Sequence, residues 1–148
     1  MHKAINHSIR RVRCSVIFCA CIAGTLSLLA GDTKLGDPKK LPPASDKKGL
    51  TYAADIKPIF EKSCVKCHSG EKPKAKYRID TLESAIKGGE SGDPAIVPGN
   101  SAKSPLVHYV SDLVEDMEMP PTEKRDKFQP LTKEQIGLIR AWIDQGAK

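Results

Sequence analysis

The stretch Cys64-Val65-Lys66-Cys67-His68 constrains this chain more than any other. Two thiols flank two residues and an imidazole follows at once, so three strong ligands or nucleophiles share about one turn of chain. Five cysteines and four histidines placed at random in 148 residues give such a string roughly 0.004 times. The string therefore has a chemical reason. Three are open: a redox dithiol, part of a zinc site, or covalent attachment of a prosthetic group.

The other three cysteines, Cys14, Cys19 and Cys21, belong to an opening segment of different character. Lys3, Arg10, Arg11 and Arg13 give it a positive start with no acidic residue. From Cys14 to Ala30 no charge appears, and the run ends on Leu28-Leu29-Ala30-Gly31. That is the pattern of a secretory signal. The uncharged run of 17 residues sits at the short edge of what spans a bilayer. Residues 1–30 are accordingly read as a cleaved signal peptide, with an uncleaved anchor as the alternative, which Leu28 at a poor cleavage position keeps open. The expected localisation is periplasmic or otherwise exported, membrane-tethered if the anchor is retained.

The chain has 24 basic and 18 acidic residues, a formal net charge of +6. Four of the basic residues and none of the acidic ones lie in 1–30, so the remainder carries only +2. No basic stripe with interleaved aromatics is left, and nucleic acid is not an expected partner. Residues 31–50 are rich in Lys, Pro, Asp and Gly, with little to bury beyond Leu35 and Leu41, and read as a flexible linker, with an ordered arm lying on the domain as the lesser alternative. The folded domain is expected over 51–148. Its core is thin, because the whole chain has one Trp, three Tyr and three Phe. So small a domain needs a staple or a bound group.

The apolar spacing predicts helices separated by long loops and almost no strand. Asp55 is the expected N-cap of a first helix with Pro58 in its opening turn and Ile56, Ile59 and Phe60 on one face, leading into Cys64. A short second helix is predicted from Thr81 or Leu82 to Lys87, closed by Gly88-Gly89. Pro105 opens a third that runs to about Val114. The last has Thr132 and Gln135 as a capping box, Ile136, Ile139, Trp142 and Ile143 as its apolar face, and Gly146 as its stop.

In this setting the three chemistries separate. A thioredoxin-like dithiol wants a βαβ context, which is lacking. A structural zinc wants four ligands, and past Cys67 and His68 only His108 remains, so zinc is the lesser alternative. The preferred reading is a covalently bound haem: Cys64 and Cys67 add to its vinyl groups and His68 takes the iron. The macrocycle would also fill the thin core. Downstream ligands of suitable softness are His108, Met117 and Met119. Met119 is favoured, because Pro120-Pro121 forbids a helix and holds the methionine in a stiff loop. Extended alternation would then turn Met117 elsewhere. His108 is expected to be an exposed or partly packed helical residue. Arg78 and Lys76 are candidates to neutralise a haem propionate, and Trp142 and Tyr77 to donate to one. The plainer readings are a solvated charge pair and core aromatics; they are preferred for Lys76 and Trp142, while Arg78 is kept as a cofactor-binding candidate.

"CVKCH", "KYRIDTLESAIKGGESGDPAIVPGNSAKSPLV", "MEMPP" and "LTKEQIGLIRAWIDQGAK" together resemble the planctomycete-type cytochrome c domain, a branch of the mono-haem class I c-type cytochromes. The resemblance covers about 52–147. It implies an all-α class I fold of three to five short helices around one covalent haem, the first and last helices crossing beside the haem edge. It implies thioethers at Cys64 and Cys67, with His68 proximal and Met119 distal. The charged loop "TEKRDKFQP" is long for the pattern, and the family domain often belongs to larger multidomain chains. The function expected is single-electron transfer between redox partner proteins by a monomer, not enzymatic turnover. A haem enzyme or a gas or redox sensor with a labile distal position is the alternative.

Overall fold

The structure is a computed structural model that describes residues 33–148. The expected signal segment, 1–30, lies outside the described residues. The described residues form four α-helices and no strand: α1 (Lys57–Ser63), α2 (Leu82–Lys87), α3 (Pro105–Val110) and α4 (Lys133–Asp144), joined by long loops with short 3-10 turns. No helix among them is long and apolar enough to cross a membrane. The architecture is all-α, as the pattern of the sequence implies.

α1 starts differently from the expected Asp55 cap. Thr51 is the cap, its hydroxyl accepting from the Ala54 N–H. The Asp55 carboxylate accepts in turn from the Thr51 N–H at 3.0 Å, and Lys47 lies 2.6 Å from it. Pro58 explains the shift. It has no N–H, and its ring crowds the carbonyl four residues back. Residues Tyr52–Ile56 therefore take a wider π turn, in which the Lys57 N–H reaches the Tyr52 carbonyl, before the regular helix begins.

The other helices follow their end signals. α2 is capped by Thr81 and stopped by Gly88 at φ 89°. A side chain there would put Cβ 2.1 Å from the Asp93 carbonyl oxygen, so the loop after α2 can close only on glycine. α3 ends at Val110, short of the expected Val114. Asp112 takes a left-handed φ of 55°, and the Leu113 and Asp112 N–H groups return to the His108 and Tyr109 carbonyls, which is a Schellman stop. α4 has the full Thr132–Gln135 capping box and a second Schellman stop at Gly146.

Tyr52 joins the first and last helices. Its ring centroid lies 6.3 Å from that of Phe60 and 6.0 Å from that of Trp142. Its hydroxyl donates to the Ile79 carbonyl at 2.9 Å. The Lys148 carbonyl accepts from both the Tyr52 N–H (2.8 Å) and the Trp142 Nε1–H (3.0 Å). Ile56, Phe60, Ile139, Trp142 and Ile143 are buried in one cluster around this seam. Trp142 is thus a core aromatic.

Residues 34–50 correct the linker expectation, because they lie as an arm on the domain. Leu41 and Leu50 are buried. The Ser45 N–H donates to the Gly137 carbonyl at 3.0 Å, Arg140 donates to the Pro42 carbonyl, and Gln145 bonds both the Lys47 carbonyl and the Leu50 N–H. Composition missed this because the arm is held by its backbone carbonyls and amides, which leave no mark on side-chain hydropathy. Gly137 lets the arm approach: a Cβ there would stand 2.8 Å from the Pro43 carbonyl oxygen.

Phe60 is 1% exposed beside Tyr52. Phe60→Ala is expected to cost about 3–5 kcal/mol in denaturant unfolding of the holoprotein. A loss below about 1 kcal/mol would contradict the burial of this ring.

Candidate cofactor site

α1 delivers the motif. Its last regular bond runs from the Cys64 N–H to the Phe60 carbonyl at 2.8 Å. The Cys64 carbonyl then accepts from both the Cys67 N–H (3.1 Å) and the His68 N–H (3.0 Å), so residues 64–68 wind into one further turn. The chain that follows folds back over it, the Lys74 N–H on the Cys67 carbonyl and the Ile79 N–H on the His68 carbonyl. Cys64, Cys67 and His68 all line a single cavity of about 480 Å³. That volume lies within the range of small-molecule and cofactor sites.

The rest of the wall is mostly apolar. Tyr77 and Ile79 come from the return strand of chain, and Leu106, Tyr109 and Val110 from α3. Met117, Met119, Pro120 and Pro121 come from the loop after α3, with Phe128 and Leu131 ahead of α4. Tyr77 packs its ring 5.3 Å from that of His68. Its hydroxyl is already committed to the Ala85 carbonyl at 2.9 Å, and burial raises its pKa well above the ordinary phenol range.

Burial also governs the motif's own groups. It pushes the Cys64 thiol up to about 12, with the neighbouring Cys67 adding to the effect. Neither cysteine is in a disulfide. A redox dithiol needs a thiolate stabilised near neutral pH, and Cys64 is the reverse. The His68 imidazole is held below its usual pKa by burial, with the backbone at Tyr77 and Lys74 pulling the other way. Its Nδ1 is buried without a hydrogen-bond partner. Among the described residues no group of three or more His, Cys, Asp or Glu side chains is placed to hold a metal ion. His108, the fourth ligand a zinc site would need, lies away from the cavity. It is fully buried, against the expectation of an exposed or partly packed residue, with Nε2 2.8 Å from the Ala102 carbonyl. A donor set of two half-buried thiols and one imidazole on a mostly apolar wall suits a large apolar prosthetic group held through sulfur better than a bare ion.

Met119 and Met117 both reach this cavity. The expected alternation fails because the loop is turned, not extended. The Met117 N–H closes a turn on the Val114 carbonyl at 3.2 Å, with Asp116 at φ 63°. Met117 is 40% exposed, whereas Met119 is partly buried and packed on the core. The Met119 N–H is pinned to the Tyr109 carbonyl at 3.0 Å, and the Met119–Pro120 peptide is cis.

Sequence reasoning missed Arg125, which sits in the charged "TEKRDKFQP" loop. Its Nε donates to the Pro120 carbonyl at 3.1 Å, and its other two nitrogens reach the Asp112 carboxylate at 3.0 and 2.6 Å. It thereby ties the two ends of the Met119 loop together. A lone Arg among mixed charges carries no signal of such a role. Arg78, by contrast, is not among the residues lining the cavity. It is exposed and paired with Asp80 at 3.1 and 2.6 Å, the bond that raises its pKa. Lys76 is exposed as well.

The family model described as Planctomycete cytochrome C matches residues 64–123, a shorter span than the motifs alone suggest. No curated protein and no solved structure matches the chain. The matched span begins at the first thiol of the motif, ends just beyond the two prolines, and supplies most of the cavity wall. Over residues 64–123 the chain is therefore similar to the planctomycete cytochrome C family.

Proposed function

We propose that the protein carries single electrons between redox partner proteins through one covalently held haem c, ligated by His68 and Met119. The observation that carries this reading is the enclosure of Cys64, Cys67, His68 and Met119 in one apolar cavity. When bound, the haem supplies an iron that changes oxidation state by one electron. Cys64 and Cys67 would hold the haem as thioethers, each S–H adding across one vinyl group with no oxidant consumed.

His68 would hold the iron through Nε2, and a nearby carbonyl accepting from its buried Nδ1–H would fix the tautomer and tune the metal. Met119 would supply a soft second ligand, and a His/Met pair raises the potential relative to harder sets. The mostly apolar wall would limit access of water to the iron. The second described histidine stands outside the cavity, tied to Ala102, which favours a carrier over an enzyme with a distal histidine. Residues 14–30, uncharged after a basic start, support an exported protein, cleaved or tethered.

Two measurements test the reading. Acid-acetone treatment should leave the colour on the wild-type polypeptide and remove it from a Cys64→Ala/Cys67→Ala double variant. Haem that leaves the wild type freely would end the covalent assignment. Met119→Ala should abolish the weak far-red methionine–iron band of the oxidised protein, admit carbon monoxide and lower the potential. Met117→Ala should leave the spectrum almost unchanged, because Met117 is the exposed one of the pair. The opposite pattern would move the ligand to Met117.

A further inference from the structure

Two contacts of the arm lie apart from its anchorage on α4, one on the loop after α3 and one in the cavity's own wall. Gly36 presses on the loop after α3: a Cβ on Gly36 would stand 2.3 Å from the Leu113 carbonyl oxygen and 2.6 Å from the Leu113 Cβ. Thr33 lines the cavity itself, and its hydroxyl bonds the carboxylate of Asp93, which also lines it. Beyond these contacts the arm is anchored by the buried Leu41 and by Arg140 and Gly137, which hold it at Pro42 and Ser45. Leu113 begins the segment that leads to Met119, and Arg125 fixes the same segment at Asp112 and Pro120. The arm lies wholly outside the family match at 64–123, so it is a feature of this chain that the match does not account for.

We propose that residues 33–41 are a strap which holds the Met119 loop against the cavity, with Gly36 and Thr33 as positioning residues for the distal ligand. The proposal rests on the reading of Met119 as that ligand. Gly36 has an ordinary backbone conformation, so replacing it with alanine strains no φ angle and acts only by forcing the strap away from Leu113. That separation should let the loop open locally while the core seam stays shut.

The test uses the full-length holoprotein, comparing wild type with Gly36→Ala, Thr33→Val and the exposed arm control Lys39→Ala. Hydrogen exchange is followed over residues 109–121, together with the methionine–iron band and carbon monoxide uptake. Gly36→Ala should speed exchange at residues 113–119 by roughly tenfold, as expected when a locally opening segment gives up one of its few anchors. It should also weaken the band and admit carbon monoxide, with α4 exchange and Lys39→Ala unchanged. Thr33→Val should do the same to a lesser degree, and it carries the test if Gly36→Ala does not fold. Wild-type rates in 113–119 for a folded Gly36→Ala, or for Thr33→Val in its place, would overturn the strap. Faster exchange with an intact band would keep the strap but overturn the positioning of the ligand. A wild type with no methionine–iron band would refute the Met119 reading, and the exchange rates would still decide the strap.

Discussion

The Tyr52 ring between Phe60 and Trp142 sets the position of everything that follows. α1 is barely two turns long and cannot hold its own orientation, since helices of that length are marginal without tertiary packing. The aromatic seam fixes it against α4, and the Lys148 carbonyl, accepting from both Tyr52 and Trp142, locks the register of the two ends of the domain. With α1 so placed, the turn that begins at Cys64 opens into the cavity. The Tyr52 hydroxyl then holds the Ile79 carbonyl, and with it the stretch that folds back over His68. One side chain thereby aligns the motif, the return chain and the last helix.

Next to this seam the apolar atoms line a hollow. Leu106, Tyr109 and Val110 face the same space as the two thiols, together with Met119 and the paired prolines. An apolar surface of this kind is costly to leave against water, which is the physical argument for a large apolar group within it. The loop carrying Met119 has no regular secondary structure. It is held by discrete ties: the Met119 N–H on Tyr109, Arg125 on Asp112 and Pro120, and the arm on Leu113. A ligand placed in this way depends on a few identifiable contacts.

Much of this was legible along the chain because its causes are local. The Thr132–Gln135 box, the Gly146 stop, the Gly88 stop of α2 and the apolar face of α4 involve neighbours a few residues apart, and each is where periodicity and capping chemistry put it. The motif and Met-Pro-Pro also declare themselves within a few residues. The failures share the opposite cause. The π turn before α1 arises from how Pro58 disturbs a bond four residues back, a choice that the later burial of Tyr52 helps to decide. The early end of α3 depends on Asp112 accepting a left-handed turn. The half-exposed Met117 reaches the cavity only because the chain turns at Asp116.

By itself, then, the sequence determined the all-α class, the ends of the second and last helices, and the presence of two thiols, an imidazole and a stiffly held methionine in one domain. These follow from side-chain chemistry and from spacings shorter than a helical turn or two. Only the tertiary structure decided that the four groups share one cavity and that Arg78 turns to Asp80 instead of lining it. It likewise decided that Arg125 braces the methionine loop and that residues 34–50 belong to the fold. Those outcomes rest on contacts between residues far apart in the chain, many made by backbone carbonyls and amides that every residue carries. Composition and periodicity do not distinguish such groups, so their partners are settled only when the chain has closed around them.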